Sequence, residues 1–179
     1  MRILILISIL TFSLSANAQK FVKHKVTENI KLKLPQEFVL MTDEDKEQRY
    51  QSARIPIALF TDNDRLAEFG INRSYSVWQE GDMKMLKEFY QASIVELFDK
   101  VEFIDQGIKT INKRDYVFFE FESVVYPENK FQRNITKYTY VMYTLAGGTT
   151  YVFNFTSELS VKEKWQESAH KIMESIKLK

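Results

Sequence analysis

The chain is 179 residues long, contains no cysteine, and sets 25 Lys and Arg against 24 Asp and Glu. A near-zero net charge removes the whole-molecule positive field that draws proteins to DNA or RNA, so nucleic acid is not expected as a partner. Without cysteine there is no disulfide, no thiolate nucleophile and no thiol to carry a lipid, and the fold must be held by an apolar core.

The first residues have the three regions of a secretory signal peptide: Arg2, an apolar run from Ile3 to Leu14, and Ala16-Asn17-Ala18 before Gln19. The run is shorter than the roughly 20 residues needed to span a membrane. The expectation is a cleaved signal peptide at residues 1–18 and a single globular domain at 19–179. That domain would be exported, soluble, periplasmic or secreted, with no stable membrane anchor and no cysteine at Gln19 to make it a lipoprotein. Taking away residues 1–18 removes Arg2 and no acid, so the 25 basic residues become 24, equal to the 24 acidic ones.

Lys20, Lys23, His24, Lys25, Lys31 and Lys33 form a basic cluster near the new N-terminus. It is expected to be a solvated strand face beside a frayed end, the other reading being attraction to a membrane surface. From Asn29 to Leu34, Ile30, Leu32 and Leu34 alternate with Lys31 and Lys33, the pattern of a half-buried strand that Pro35 ends. Phe38–Met41 is expected as its short partner strand. Thr42 then caps a helix opened by Asp43, Glu44 and Asp45, which stops before Pro56. Ile57–Phe60 and Leu66–Ile71 predict two strands around the turn Thr61–Arg65. Asp62, Asn63, Asp64 and Glu68 offer clustered oxygens to calcium, but the glycine and distal glutamate of an EF-hand loop are missing. A plain hairpin turn is expected, and neither a metal nor another cofactor.

Met83, Leu86, Tyr90, Ile94 and Leu97, widened by Met85, Phe89 and Phe98, predict a long amphipathic helix over Asp82–Lys100. Val101–Thr110, Asp115–Tyr126, Tyr138–Leu145 and Thr149–Thr156 follow as an antiparallel meander, with turns at Asn112-Lys113 and Gly147-Gly148. Ser160 and Glu163 fit a capping box, and Val161, Trp165, Ala169, Ile172 and Ile176 share one face of a final helix whose negative end Lys177 and Lys179 complement. The glycosylation sequons at Asn72, Asn134 and Asn154 read as coincidence, Asn154 lying mid-strand between two phenylalanines. The expected fold class is α+β: an α/β/α sandwich with a central antiparallel sheet and amphipathic helices packed on it. Periodicity leaves open which face each helix covers.

Chemistry is sparse. His24 and His170 stand outside any motif with acids or serines, and the chain has no Gly-x-Ser-x-Gly elbow, phosphate-binding glycine loop or His-Glu-x-x-His. No catalytic residue and no enzymatic activity are expected. One strand face is the exception: Tyr116, Phe118, Glu120 and Glu122 share it, and Tyr138 and Tyr140 share a face of the next long strand. These six residues could line a groove for a ligand or partner. The competing expectation is a sheet face covered by a helix, with the glutamates at its wet edge paired to lysines. Glu120 and Glu122 as a glycosidase pair is the weakest reading, since neighbours on one strand are more simply surface charges.

A first strand ending in Leu34-Pro35 with Phe38 after it, the Arg54-Ile55-Pro56 entry to a second strand pair, the strand Tyr151-Val152-Phe153-Asn154-Phe155 and the helix from Trp165 to Ser175-Ile176-Lys177 together resemble the PsbP-like family. That resemblance implies an α/β/α sandwich around an antiparallel sheet, and a non-enzymatic module that docks on something else; for an exported domain the expected partner is another protein of the cell envelope. The alternatives are a carrier or sensor of a small amphiphilic ligand on the aromatic sheet face, and an enzyme of unrecognised mechanism.

Overall fold

A computed structural model describes residues 19–49, 56–129 and 131–179. The expected signal peptide at 1–18 and the Arg54-Ile55 pair lie outside the described residues. In chain order the elements are β1 (Phe21–Lys25), β2 (Ile30–Pro35), β3 (Val39–Leu40), α1 (Asp43–Arg49), β4 (Ala58–Thr61), β5 (Ala67–Tyr75), α2 (Met83–Leu97), β6 (Lys100–Ile111), β7 (Arg114–Val125), β8 (Ile135–Ala146), β9 (Thr149–Glu158), α3 (Lys162–Glu174) and β10 (Lys177–Leu178).

The meander β6-β7-β8-β9 forms as its alternating segments predict, and β5, β4 and β3 extend it beyond β9 into a seven-stranded antiparallel sheet ordered β3-β4-β5-β9-β8-β7-β6. Its hairpins have local causes. Asn112 and Lys113 (φ 49° and 69°) and Gly147 and Gly148 (φ 54° and 70°) place two consecutive residues in the left-handed region, the two-residue turn whose twist matches that of the strands it joins. At the β4–β5 turn the buried carboxylate of Asp62 accepts the backbone N–H groups of Leu66 and Ala67 through Oδ1 at 2.8 and 2.9 Å. Asp62 is a turn former, as the plain hairpin turn expected here requires.

Alternation then divides the core in two. Val117, Phe119, Phe121, Val141 and Leu145 point to one side of the large sheet, where they meet Leu86 and Ile94 of α2. On the other side Tyr138, Tyr140, Phe153 and Phe155 meet Trp165, Ala169 and Ile172 of α3, together with Ile30, Leu32 and Leu34 of β2. The two long helices therefore cover opposite faces. β2 belongs to a second, three-stranded sheet, β1-β2-β10, whose apolar side closes over the α3 side of the core.

Four expectations are corrected. The N-terminal stretch is not a frayed end: β1 pairs with β2 along its whole length, because β2 has an open edge, and His24 sets its ring edge against Phe60 at 5.5 Å. Residues 39–40 pair with β4 rather than with β2. The Ser160/Glu163 capping box does not form: the chain makes a 3-10 turn over Leu159–Val161, so α3 starts at Lys162 with Val161 at its N-cap and no side-chain cap. On α2 the stripe is narrower than the sequence suggests, since Met85, Phe89 and Leu97 stay exposed.

Candidate functional site

The six residues expected to form a binding face are not an open groove. Tyr116, Tyr138 and Tyr140 are fully buried, Phe118 nearly so, and Glu120 is 2% exposed, because α3 lies across the face that carries them. The covered-face expectation is the one the geometry supports, and the cover has its own chemistry.

Lys162, Gln166 and His170 stand four residues apart and so line one side of α3. Their side chains reach the sheet in register. Lys162 Nζ lies 2.6 Å from Glu122 Oε1, Gln166 Nε2 donates to Glu120 Oε1 at 2.8 Å, and His170 Nε2 lies 3.0 Å from Glu120 Oε2. From β8 the Tyr138 hydroxyl donates to Glu120 Oε1 at 2.8 Å. Lys109 comes from β6 and donates to the Tyr140 hydroxyl, its ammonium 4.6 Å from the Phe118 ring centre and 4.9 Å from that of Tyr140. The His170 ring lies 4.8 Å from Tyr140.

A β-bulge delivers Lys109. Phe103 is opposed by Phe121, yet Asp105 is opposed by Glu120, so Ile104 is an extra residue on β6. Directly opposed residues share a face, and the insertion moves Asp105, Gly107 and Lys109 from the α2 side to the α3 side. Gly107 keeps this approach open: a Cβ there would stand 3.1 Å from the Phe118 ring, which would have to give by a few tenths of an ångström.

The electrostatics follow from this packing. Burial by itself raises the pKa of Glu120, but hydrogen bonds from His170, Gln166 and Tyr138, with the His170 charge, outweigh it and hold the carboxyl at about 2. Burial raises the Tyr138 phenol well above its usual range, and the charge of Glu120 adds to this. Burial likewise raises Tyr140, and lowers Lys109 against the opposing pull of Glu174, Asp105 and Glu120. A carboxylate so stabilised takes up no proton at neutral pH. Glu120 is a fixed negative charge that ties α3 to β7 and β8, and the constellation is a polar clasp.

Of the six expected residues, Glu120, Glu122, Tyr138 and Tyr140 come together in the clasp, and Phe118 packs beneath Lys109. Tyr116 stands apart, with its hydroxyl buried without a hydrogen-bond partner among the described residues and its pKa pushed up by burial to about 12. Sequence reasoning missed Lys109, Lys162 and Gln166, and left His170 without a partner. The four-residue spacing on α3 was the available signal for three of them, whereas the bulge hides Lys109.

Exposed apolar side chains stand at several places, among them Tyr75, Leu40 of β3, Met85, Phe89 and Leu97 of α2, and Phe131. Tyr75 at the end of β5 is 100% exposed and Val77 is 92% exposed. Trp78 packs on Phe89 of α2 at 5.7 Å, and Phe89 and Met85, one turn apart, are half exposed. Around Tyr75, Arg73, Ser74 and Thr149 line an open cleft of about 540 Å³. Among the described residues no group of three or more His, Asp or Glu could hold a metal ion, and no helix is long and apolar enough to cross a membrane.

No protein-family model matches the chain, and no curated protein sequence matches it. Solved structures do. The Ran-binding protein Mog1p of Saccharomyces cerevisiae superposes with a TM-score of 0.59 at 10% identity, over 90% of this chain and 96% of that one. Cyanobacterial PsbP (CyanoP) of Synechocystis sp. PCC 6803 gives 0.57 at 11% identity, over 92% and 96%. LpqN of Mycobacterium tuberculosis, involved in cell envelope biogenesis, gives 0.54 at 11%, over 90% and 92%. Identities this low speak to architecture alone, and the architecture is the PsbP-like fold, an α+β domain built on one large antiparallel sheet.

Proposed function

We propose that the chain is an exported, non-catalytic binding module that docks on another protein of the cell envelope. One observation carries this reading: Met85 and Phe89 stand half exposed one turn apart on α2, with Trp78 packed on Phe89 and with Tyr75 and Val77 exposed in the segment that leads into the helix. Aromatics and methionine are the residues enriched at protein interfaces, and clustered exposed apolar surface marks contact sites. The covered sheet face weakens the small-ligand alternative, whose aromatic contacts are spent inside the core. Export rests on the signal-peptide pattern at residues 1–18. Among proteins of the same fold, one is named for binding Ran and another for a role in cell envelope biogenesis.

The test is native mass spectrometry of the protein extracted under mild conditions from its own envelope fraction. A heteromeric species that disappears in the Met85→Glu, Phe89→Glu double variant supports the docking module. A bare chain, or a chain releasing a small molecule on denaturation, overturns it.

A further inference from the structure

The small sheet places like charges directly against one another. In the β1–β2 register Lys23 is opposed by Lys33 and Lys25 by Lys31, and in the β10–β2 register Lys177 is opposed by Lys31. Directly opposed residues share a face, so all five lysines project to the side away from Ile30, Leu32 and Leu34, which are buried. Each of the five is exposed, and together with His24, Leu32 and Ser175 they line a shallow groove of about 430 Å³. Among the described residues a single carboxylate answers them: Glu28, which pairs with Lys25.

Like charges facing each other across strands destabilise a sheet. This chain has as many acids as bases once residues 1–18 are set aside, so composition does not force the arrangement. A face kept only for solubility would mix signs. With strands about 4.8 Å apart and alternate residues about 6.6 Å apart, the ammonium groups form a flat grid rather than a line.

We infer that this lysine face is a docking surface for an anionic lipid bilayer. The composition of the groove selects that occupant. It has no arginine for bidentate phosphate contacts, and its one ring, His24, is opposed by buried Leu32 and lies against Phe60 rather than open as a platform for stacking bases, which argues against a nucleic acid. It has no exposed aromatic or methionine anchor, and lysine is depleted from the centres of protein interfaces, which argues against a protein. Hydrated point charges in a plane suit a plane of lipid headgroups, where each lysine adds attraction without a dedicated pocket. The contact is peripheral and reversible, and it lies on a different sheet from the one that α2, with Met85 and Phe89, covers, so either can be present without the other.

Co-sedimentation of the purified protein with vesicles tests this. Binding is expected to phosphatidylcholine vesicles containing phosphatidylglycerol, not to phosphatidylcholine alone, and to be lost at high salt as screening shortens the reach of the charges. The Lys23→Glu, Lys31→Glu double variant turns all three like-charge pairs into opposite-charge pairs. It should melt no lower than the parent, while its affinity for anionic vesicles falls at least about tenfold. Equal binding to neutral vesicles, no binding to anionic ones, or unchanged binding by the stably folded variant would overturn the inference. So would displacement by millimolar inorganic phosphate beyond that caused by chloride of equal ionic strength, or tighter binding to single-stranded DNA or polyglutamate than to the vesicles.

Discussion

The two faces of the large sheet carry helices of similar length, and the more apolar helix is the less buried one. α2 offers Met83, Met85, Leu86, Phe89, Tyr90, Ile94, Val95 and Leu97, yet only Leu86 and Ile94 are buried. α3 is lined by Lys162, Gln166 and His170, yet buries Trp165, Ser168, Ala169, Ile172 and Met173. The reason lies in what each helix meets. α3 is enclosed between the large sheet and β2, and its polar stripe finds Glu120 and Glu122, so closing over the sheet leaves Lys162, Gln166 and His170 partnered, while the Trp165 indole N–H is buried without a partner among the described residues. α2 has the sheet beneath it and solvent above. Apolar content sets how much a helix can bury, and the elements around it set how much it does.

The contrast is broken most severely at Trp165. It is fully buried, with Phe38 edge-on at 5.2 Å and Phe155 at 6.4 Å. Trp165→Ala should cost about 3–5 kcal/mol in urea unfolding, enough to unfold a marginal domain.

The clasp comes next. Glu120 titrates at about 2 in the fold against its usual 4.5. A depressed carboxyl contributes stability that is complete above the unfolded value and is lost as pH falls toward the folded one. Stability should therefore drop by up to about 3 kcal/mol between pH 4.5 and 2. Glu120→Gln should flatten that acid limb and lower stability at pH 7 by about 1–3 kcal/mol, because His170 loses its anionic partner while Tyr138 keeps an acceptor. An unchanged acid limb in the variant would show that another group controls it.

Most of this architecture could be read from periodicity, because alternation and helical spacing were strong where one face of an element is buried. The Val117-Phe119-Phe121 and Tyr138-Tyr140 alternations gave the meander and its two faces. The strand β1 was missed because Phe21 and Val22 are adjacent and charged residues follow, so no period shows, and its pairing comes from the edge that β2 offers. The candidate groove was legible as a set of residues sharing a face, but not as a covered one. What covers it depends on the order of elements in space, and the clearest hint was the spacing of Gln166 and His170. Lys109 was out of reach, since one extra residue at Ile104 reverses the face of everything after it on β6, and nothing in that residue's identity marks a bulge.

The smallest effect is the one that defines the α2 side. Met85 and Phe89 are each 51% exposed, and Phe89 touches Trp78 and Tyr90 rather than the sheet. About half of each side chain is buried, so the Met85→Ser, Phe89→Ser double variant should cost about 1–2 kcal/mol, well below Trp165→Ala in the same urea assay. If the pair were needed for folding, the cost would approach that of a core truncation, and the exposed cluster would be an extension of the core. A cost that small shows that they are not part of the core, and docking through them then requires the same substitutions to reduce partner binding far more than they reduce stability.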